Sequence, residues 1–347
     1  MEQKAGIEIE NFSDNFEVLP RINFFKDFAR EASTAKTRVW LRAMYVQHKE
    51  AMVMVEPTLS DAASRGLDVR VVADSISLNA TNEVPSYLAK VGKLAVQKKE
   101  TREMFERLTV EEVKVSITNE PTRKSKLIPY VGRSHIKMAV VDDVCYIGGS
   151  NWTDVRAKDF MVKITNPKLV EKILPYFEMF DDKKPTQDIV DKLDGETTLL
   201  IDSGVEGKSI IYDKAIELVK NEQKRIAYVS QLIPEGEMLD ELISAKNRGV
   251  DIEIIVPKMS EIKDPQIYAV NRLAQKRMIK DGKRIPIAYL PFFVHAKALI
   301  GSSHCIVGSH NFSETGVKWG TEEIALESSN KVLLGNLRNF IQDLKQK

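Results

Sequence analysis

The chain has 347 residues, with 51 basic and 50 acidic side chains and a formal net charge of +1. This charge excludes recruitment of nucleic acid or an anionic membrane by a global electrostatic field, and the length favours two domains or two fused repeats. The first twenty residues lack the apolar run of a secretory signal, and no stretch is apolar for long enough to span a bilayer. With only two cysteines, the sequence predicts neither a disulfide framework nor a structural zinc site, and it favours a reducing cytoplasm.

Two stretches of the chain predict the same succession of elements. Residues 36–72 contain an apolar strand, an amphipathic helix that stops at Gly66, and a second strand with alternating apolar residues. Residues 224–256 repeat this succession, with Gly249 at the helix end. Glycine suits that position because the backbone often turns left-handed where a helix ends. Strands separated by helices predict an α/β fold in which each repeat is a mostly parallel sheet flanked by helices.

A third segment of each repeat aligns without a gap at an offset of 160 residues. It covers residues 134–154 in the first repeat and 294–314 in the second. The matched polar side chains are His135 with His295, Lys137 with Lys297, and Asn151 with Asn311. We therefore expect two domains, residues 1–180 and 190–347, joined by a polar segment that contains proline.

The spacing within these segments points to phosphodiester chemistry. A histidine and a lysine two positions apart on a strand project from the same face. If the repeats pack about a pseudo-twofold axis, one site holds two imidazoles, two ammonium groups, two amides and the Ser309 hydroxyl. Cations and amide donors suit the non-bridging oxygens of a phosphoryl group. Two imidazoles suit a double displacement, in which one attacks phosphorus and the other transfers protons. No metal and no other cofactor is expected.

These segments resemble the HKD motifs of the phospholipase D superfamily, which read H-x-K-x4-D followed by a G-S-x-N-like turn. The resemblance covers both repeats and implies two pseudo-twofold-related repeats that share one site. It also implies a phosphohistidine intermediate formed without a metal. In this scheme His135 is the nucleophile, and His295 protonates the leaving group and then activates the acceptor. The phosphate would be held by Lys137, Lys297, Asn151, Asn311 and Ser309.

The sequence departs from the family pattern at two positions. Asp142 matches the Asp of the first motif, for which the resemblance implies a structural role, but Ser302 stands at that place in the second motif. Gly149 replaces the serine of the first turn and so removes one hydroxyl. His310 lies inside the second turn, where it either contacts a ligand or is exposed.

The resemblance further implies a carboxylate behind each catalytic histidine. Asp159 precedes an apolar strand in the first repeat, and Glu323 does so in the second. We expect each to support the histidine of its own repeat, so that Asp159 faces His135 and Glu323 faces His295. Glu322 is the alternative to Glu323, because the register of that strand is uncertain by one residue.

Three features of the sequence bear on the identity of the phosphodiester. The first repeat has about 23 extra residues within 76–130, and inserted loops often cover a functional face. The apolar run 289–294 suits acyl chains at the mouth of a site, although a buried strand has the same pattern. Basic clusters at 121–126 and 276–286 suit anionic lipid headgroups or a nucleic acid backbone. We expect hydrolysis or phosphatidyl transfer on a phospholipid, with peripheral membrane contact. The alternative is a nuclease acting on DNA or RNA; the oligomeric state is not indicated.

Overall fold

The computed structural model describes residues 15–79, 91–120, 122, 130–182 and 185–346. These residues form two β-sheets, each flanked by helices, which confirms the α/β class and the two-repeat organisation. No helix in these ranges is both long and apolar enough to cross a membrane.

The first repeat builds a seven-stranded sheet from the described residues, with the strand order β1-β7-β6-β5-β2-β3-β4. Its elements in chain order are β1 (Phe16–Pro20), α1 (Arg21–Thr34), β2 (Arg38–Ala43), α2 (Glu50–Ser64), β3 (Asp68–Asp74), α3 (Ile76–Asn79), α4 (Val91–Val110), β4 (Lys114–Thr118), β5 (Met138–Val141), β6 (Val144–Gly148), β7 (Phe160–Ile164) and α5 (Pro167–Asp182).

The second repeat builds an eight-stranded sheet with the order β12-β11-β10-β13-β14-β15-β9-β8. Its elements are β8 (Ile189–Lys192), β9 (Thr197–Ser203), α6 (Ile210–Asn221), β10 (Arg225–Val229), α7 (Gly236–Asn247), β11 (Asp251–Pro257), α8 (Pro265–Lys280), β12 (Ile287–Leu290), β13 (Ala298–Ile300), β14 (Cys305–Gly308), α9 (Glu314–Trp319), β15 (Glu322–Ser328) and α10 (Lys331–Lys345). Read in reverse, this order matches the first sheet strand for strand, with β8 added at the edge.

The sheets are mixed, which corrects the expectation of mostly parallel sheets. The parallel pairings are β2–β3–β4 and β10–β11–β12, where helices connect the strands as predicted. The remaining pairings are antiparallel. The reason is connection length: β5 ends at Val141 and β6 begins at Val144, which leaves no room for the crossover that a parallel pair requires.

The predicted helix ends at Gly66 and Gly249 are confirmed. Their φ angles are 79° and 93°, in the left-handed region that favours glycine. The Gly66 N–H donates to the Ala63 carbonyl at 2.8 Å, and the Gly249 N–H donates to the Lys246 carbonyl at 3.0 Å. Each glycine thereby closes the last turn of its helix and directs the chain into β3 or β11.

A continuous apolar core joins the two repeats. It contains buried residues of β6 and β7 together with residues of β14, β15 and α10. The rings of Phe160 and Phe340 meet with centroids 5.0 Å apart, and the Asn336 side chain donates to the Phe16 carbonyl at 3.2 Å. This packing holds the two sheets in one relative orientation. The domain boundary expected between residues 180 and 190 lies between α5 and β8 and stays a prediction.

Candidate active site

The two motifs converge on one cavity between the repeats, as their pattern predicts. The cavity has a volume of about 500 Å³, and both His135 and His295 line it. Asn151 and Asn311, from the turns after β6 and β14, also line it. Each motif histidine is only 9 % exposed, so the imidazoles are shielded from bulk water except through the cavity.

Reciprocal backbone contacts between the repeats position the two histidines. The His135 N–H donates to the Glu322 carbonyl at 2.8 Å, and the His295 N–H donates to the Lys158 carbonyl at 2.8 Å. Isolated parallel bridges connect the same two pairs of segments. Each motif histidine is therefore anchored to the segment of the opposite repeat that leads into β15 or β7.

The motif lysines lie beside their histidines but are more deeply buried. Lys137 and Lys297 have no exposed surface, and each ammonium donates to the backbone carbonyl of the histidine two positions earlier. Burial lowers the pKa of both ammonium groups, that of Lys297 to about 8, and the nearby carboxylates oppose the shift. Neither lysine is among the residues that line the cavity, so both side chains lie beneath its surface.

Each imidazole is paired with a carboxylate, but the pairing crosses between the repeats. His135 Nδ1 lies 2.9 Å from both carboxylate oxygens of Glu323, and His295 Nδ1 lies 2.6 Å from Asp159 Oδ2. The expectation that each carboxylate supports the histidine of its own repeat was wrong. The backbone contacts described above give the reason, because they set each histidine against the opposite repeat. Of the two candidate glutamates, Glu323 supplies the side chain, whereas Glu322 contacts a histidine through its backbone carbonyl.

The electrostatics of the pairs keep the carboxylates ionised and the free imidazoles neutral near pH 7. Burial alone would raise the carboxyl pKa values, but the facing imidazole together with the neighbouring basic side chains outweighs it and brings the pKa of Asp159 and of Glu323 to about 2. Burial, helped by the buried ammonium groups, lowers the pKa of His135 to about 4 and that of His295 to about 3. A neutral imidazole that donates its Nδ1 hydrogen to a carboxylate keeps a lone pair on Nε2.

The two turns after β6 and β14 differ because their carboxylates differ in length. The Ser309 hydroxyl donates to Glu323 and accepts from the Ile324 N–H at 3.0 Å. At the equivalent Gly149, an added Cβ would lie 2.4 Å from Asp159 Oδ1. Glycine therefore leaves room for the shorter acid. Ser309 was expected to hold phosphate, but its hydroxyl is committed to Glu323, so its geometry fits a residue that positions this carboxylate.

The missing Asp of the second motif is replaced from another part of the repeat. Asp142, with a φ of 47°, accepts hydrogen bonds from the backbone N–H groups of residues 36–38 and ties the β5–β6 turn to the start of β2. In the second repeat the acid lies on the other side of the same contact: Glu222, just before β10, accepts hydrogen bonds from the β13–β14 turn. Its carboxylate accepts from the Ser302 N–H at 2.7 Å, the Ser302 hydroxyl and the Lys224 N–H at 2.8 Å. Ser302 therefore preserves the structural tie, in agreement with the structural role implied for Asp142.

Arg21 is a charged residue of the site that the sequence analysis missed. It lines the cavity and is 4 % exposed, and its buried Nε has no hydrogen-bond partner among the described residues. Its Nη2 donates to the Asn151 carbonyl at 2.7 Å and to the Thr153 hydroxyl at 3.0 Å, and Nη1 lies 3.8 Å from Asp159 Oδ2. The signal in the sequence is weak: Arg21 begins α1, a position where the helix dipole disfavours a cation.

The structure also locates His310, the apolar run 289–294 and part of the inserted region 76–130. His310 lines the cavity and is buried rather than exposed to bulk solvent. Its Nδ1 accepts a hydrogen bond from the Phe312 N–H at 2.9 Å. Phe292 and Phe293, from the apolar run 289–294, also line the cavity. In the inserted region 76–130, α3, α4 and β4 are described, but most of the basic cluster 121–126 lies outside the described residues.

Known proteins resemble the chain in sequence pattern and in fold. A family model described as the phospholipase D-like domain of cardiolipin synthase matches residues 28–180 and 215–344. The phosphatidylserine synthase of Haemophilus influenzae Rd KW20 superposes with a TM-score of 0.70 and 12% identity, over 96% of this chain and 86% of that one. The polyphosphate kinase of Porphyromonas gingivalis superposes with a TM-score of 0.58 and 13% identity, over 96% of this chain and 47% of that one. No curated protein matches the chain by sequence. The two structural likenesses show a shared fold.

Two α/β repeats whose duplicated His-x-Lys motifs share one cavity define the architectural class. The chain belongs to the phospholipase D superfamily, because the cardiolipin synthase-type family model covers most of both repeats. The departures at Gly149 and Ser302 fit this membership, since neighbouring carboxylates account for both.

Proposed function

We propose that the protein is a phosphodiesterase that acts on phospholipids, by hydrolysis or by phosphatidyl transfer, through a phosphohistidine intermediate. The observation that carries the proposal is the pair of buried imidazoles on one cavity, each supported by an ionised carboxylate of the opposite repeat. The description of the matching family names cardiolipin synthase, and the Haemophilus influenzae protein that shares the fold is a phosphatidylserine synthase. Both names concern phospholipid synthesis, which favours a lipid substrate.

In the first step, Nε2 of His135 forms a bond to phosphorus as the bond from phosphorus to the leaving oxygen breaks. His295 in its protonated form gives its proton to that oxygen, so the alcohol leaves as a neutral molecule. In the second step, the neutral His295 takes a proton from water or an acceptor alcohol. The oxygen of that molecule attacks phosphorus, and the bond to His135 breaks. Hydrolysis and transfer differ only in the acceptor.

We propose that His295 takes up the proton for the first step from solvent when the substrate binds. Both imidazoles are neutral in the free site because burial lowers their pKa values to about 4 and about 3. A phosphodiester anion in the cavity raises the pKa of a neighbouring imidazole, since an opposite charge favours the protonated form. Asp159 then stabilises the imidazolium of His295, and Glu323 stabilises the positive ring of the phosphorylated His135.

We propose that Lys137, Lys297, Asn151 and Asn311 stabilise charge on the non-bridging oxygens. The two lysine side chains lie beneath the cavity wall, with no exposed surface. The Asn151 side-chain carbonyl accepts from the Tyr45 N–H at 3.2 Å, which orients its amide. In the described residues, no group of three or more His, Cys, Asp or Glu side chains could hold a metal ion. The two ammonium groups support a reaction without a metal because they supply positive charge where a metal would.

The cavity walls favour a lipid over a nucleic acid. Apolar residues of both loops and helices surround the two histidines, and a diester with acyl chains would bury against them. The apolar lining residues include Leu232, Ile267, Val270, Phe292, Phe293 and Trp319. This lining supports the phospholipid proposal, and nucleic acid cleavage is the outcome that would replace it.

The test offers purified protein a fluorescent phospholipid in mixed micelles and, in parallel, single-stranded DNA and RNA, all with EDTA present. We expect release of the headgroup alcohol, or exchange of the headgroup when a primary alcohol is added. His135→Asn and His295→Asn should abolish it, whereas His304→Asn, an exposed histidine away from the cavity, should not. Nucleic acid cleavage without lipid turnover would assign a nuclease, and loss of all activity in EDTA would contradict the metal-free mechanism.

A further inference from the structure

Helix α8 and the edge strand β12 carry an unusual set of exposed apolar side chains. The exposed apolar side chains larger than valine in the described residues are Tyr268 (43 %), Leu273 (52 %), Ile279 (81 %) and Tyr289 (38 %). The other large apolar side chains with comparable exposure in that part of the chain are valines, of which only Val96 and Val110 share an element, α4. Single exposed apolar residues are common, but several large ones on adjacent elements indicate a contact surface.

The same segment is strongly basic. Residues 265–290 contain six basic side chains and one acidic side chain, a net charge of +5, whereas the whole chain carries +1. Two of the six basic side chains face carboxylates. The exposed cations on α8 include Arg272, Lys276 and Lys280. Although the net charge of the whole protein is close to zero, residues 265–290 therefore form a positively charged segment.

The helix arranges these side chains on its outer side. Tyr268, Arg272, Lys276 and Ile279 follow the spacing i, i+4, i+8 and i+11, which places them along one side of a helix. The buried side chains of α8 lie on the opposite side and include Ile267, Ala274 and Met278. We call the outer side the basic–apolar face, and it consists of Tyr268, Arg272, Leu273, Lys276, Ile279 and Lys280.

We propose that the basic–apolar face docks the enzyme on an anionic phospholipid bilayer. The apolar side chains enter the interfacial region, and the ammonium and guanidinium groups contact lipid phosphates. A nucleic acid would satisfy the cations, but it offers no apolar phase for Ile279 and Leu273. The proposal rests on the proposed function, because docking on lipid is useful to this chain only if the cavity takes lipid.

The position of the face relative to the cavity supports this assignment. Ile267 and Val270 belong to the same helix and line the cavity that holds His135 and His295. Leu273 follows Val270 by three positions, and residues three apart are neighbours on a helix surface. The docking surface therefore runs into the cavity wall, so that a lipid leaving the bilayer reaches the histidines along α8.

The experiment measures co-sedimentation with vesicles of phosphatidylcholine mixed with phosphatidylglycerol, and with vesicles of phosphatidylcholine alone. The charge variant is Arg272→Glu with Lys276→Glu and Lys280→Glu. Its control replaces three exposed lysines elsewhere by glutamate, namely Lys26, Lys36 and Lys208. The apolar variant is Tyr268→Ser with Leu273→Ser and Ile279→Ser; its control replaces the exposed Val53, Val110 and Val190 by serine. All proteins are also assayed on a monomeric short-chain phospholipid, which requires no membrane binding.

We expect the charge variant to bind anionic vesicles at least about 100-fold more weakly, since each cation near an anionic membrane contributes roughly fivefold in affinity. The apolar variant should also lose binding, the controls should not, and turnover of the monomeric lipid should stay unchanged in both variants. Vesicle binding that survives both variants would overturn the proposal. So would wild-type protein that binds RNA through this face and ignores vesicles. Vesicle binding that depends on the face, without turnover of either lipid form, would support docking while contradicting the proposed function.

Discussion

The crossed pairing of histidines and carboxylates predicts which variant impairs which chemical step. Glu323→Gln removes the charge that faces His135, and Asp159→Asn removes the charge that faces His295. At an effective dielectric of about 20, a carboxylate oxygen 2.9 Å from a ring nitrogen stabilises an imidazolium by about 6 kcal/mol. An amide keeps the size of the side chain without its charge. Because hydrogen bonding to the amide recovers part of this energy, we expect the affected step to slow by about 10²–10⁴-fold.

The two steps are separated by pre-steady-state kinetics on a p-nitrophenyl phosphodiester, whose leaving group needs no acid. Asp159→Asn should then form the phosphohistidine at a near-normal rate and release it slowly, which produces a burst of p-nitrophenol. Glu323→Gln should show no burst, because attack by His135 is itself impaired. Glu327→Gln, on the same strand but outside the cavity lining, serves as the matched control and should behave as wild type.

The reverse pattern, a burst in Glu323→Gln and none in Asp159→Asn, would refute part of this reasoning. Mass spectrometry after near-neutral digestion decides which part. If the wild-type adduct is on His135, the reverse pattern means that each carboxylate serves its own repeat in solution. If the adduct is on His295, the crossed pairing stands and the roles of the two histidines are exchanged.

Three further outcomes follow from the site. Arg21→Lys should lower kcat/KM by about 10–100-fold, because a single ammonium cannot reproduce the planar, multiply bonded guanidinium; steady-state kinetics measure it. Gly149→Ser should lower the free energy of unfolding by about 1–3 kcal/mol in urea denaturation, because its Cβ would lie 2.4 Å from Asp159 Oδ1. Stability measured in urea should fall as the pH drops from about 6.5 towards 3. In that range the unfolded chain binds more protons than the fold, which holds the pKa of His135 at about 4 and that of His295 at about 3.

The internal duplication carried most of what the sequence could predict about the fold. An offset of 160 residues without a gap identified the two repeats and the matched histidines, and these do converge. Strand direction was harder, because a buried strand has the same apolar pattern whichever way it runs; only connection lengths such as Val141 to Val144 distinguish the cases. Arg21 escaped notice because it has no counterpart motif, and its partners lie 130 or more positions away.

The choice between Glu322 and Glu323 is a second feature that the sequence alone could not predict. Alternation assigns side chains to a face only where one face of a strand is exposed. The first five residues of β15 are all buried, so the pattern contains no information about which glutamate points towards the cavity. A backbone contact settles it in the fold: the carbonyl of Glu322 accepts from His135, which leaves the next side chain to reach the ring.

The crossed histidine–carboxylate pairs could not be predicted from the sequence of either repeat alone. His135 and its carboxylate are 188 positions apart, and His295 and its carboxylate are 136 apart, whereas the acid of the same repeat is much nearer in sequence. Neither repeat therefore supplies both members of a histidine–carboxylate pair at the cavity. The contacts that join the repeats also set the orientation of both imidazole rings, since the backbone bonds at His135 and His295 belong to the same interface. The geometry of the two imidazoles thus depends on the packing of one repeat against the other, and a change in that packing should disturb both proposed chemical steps at once.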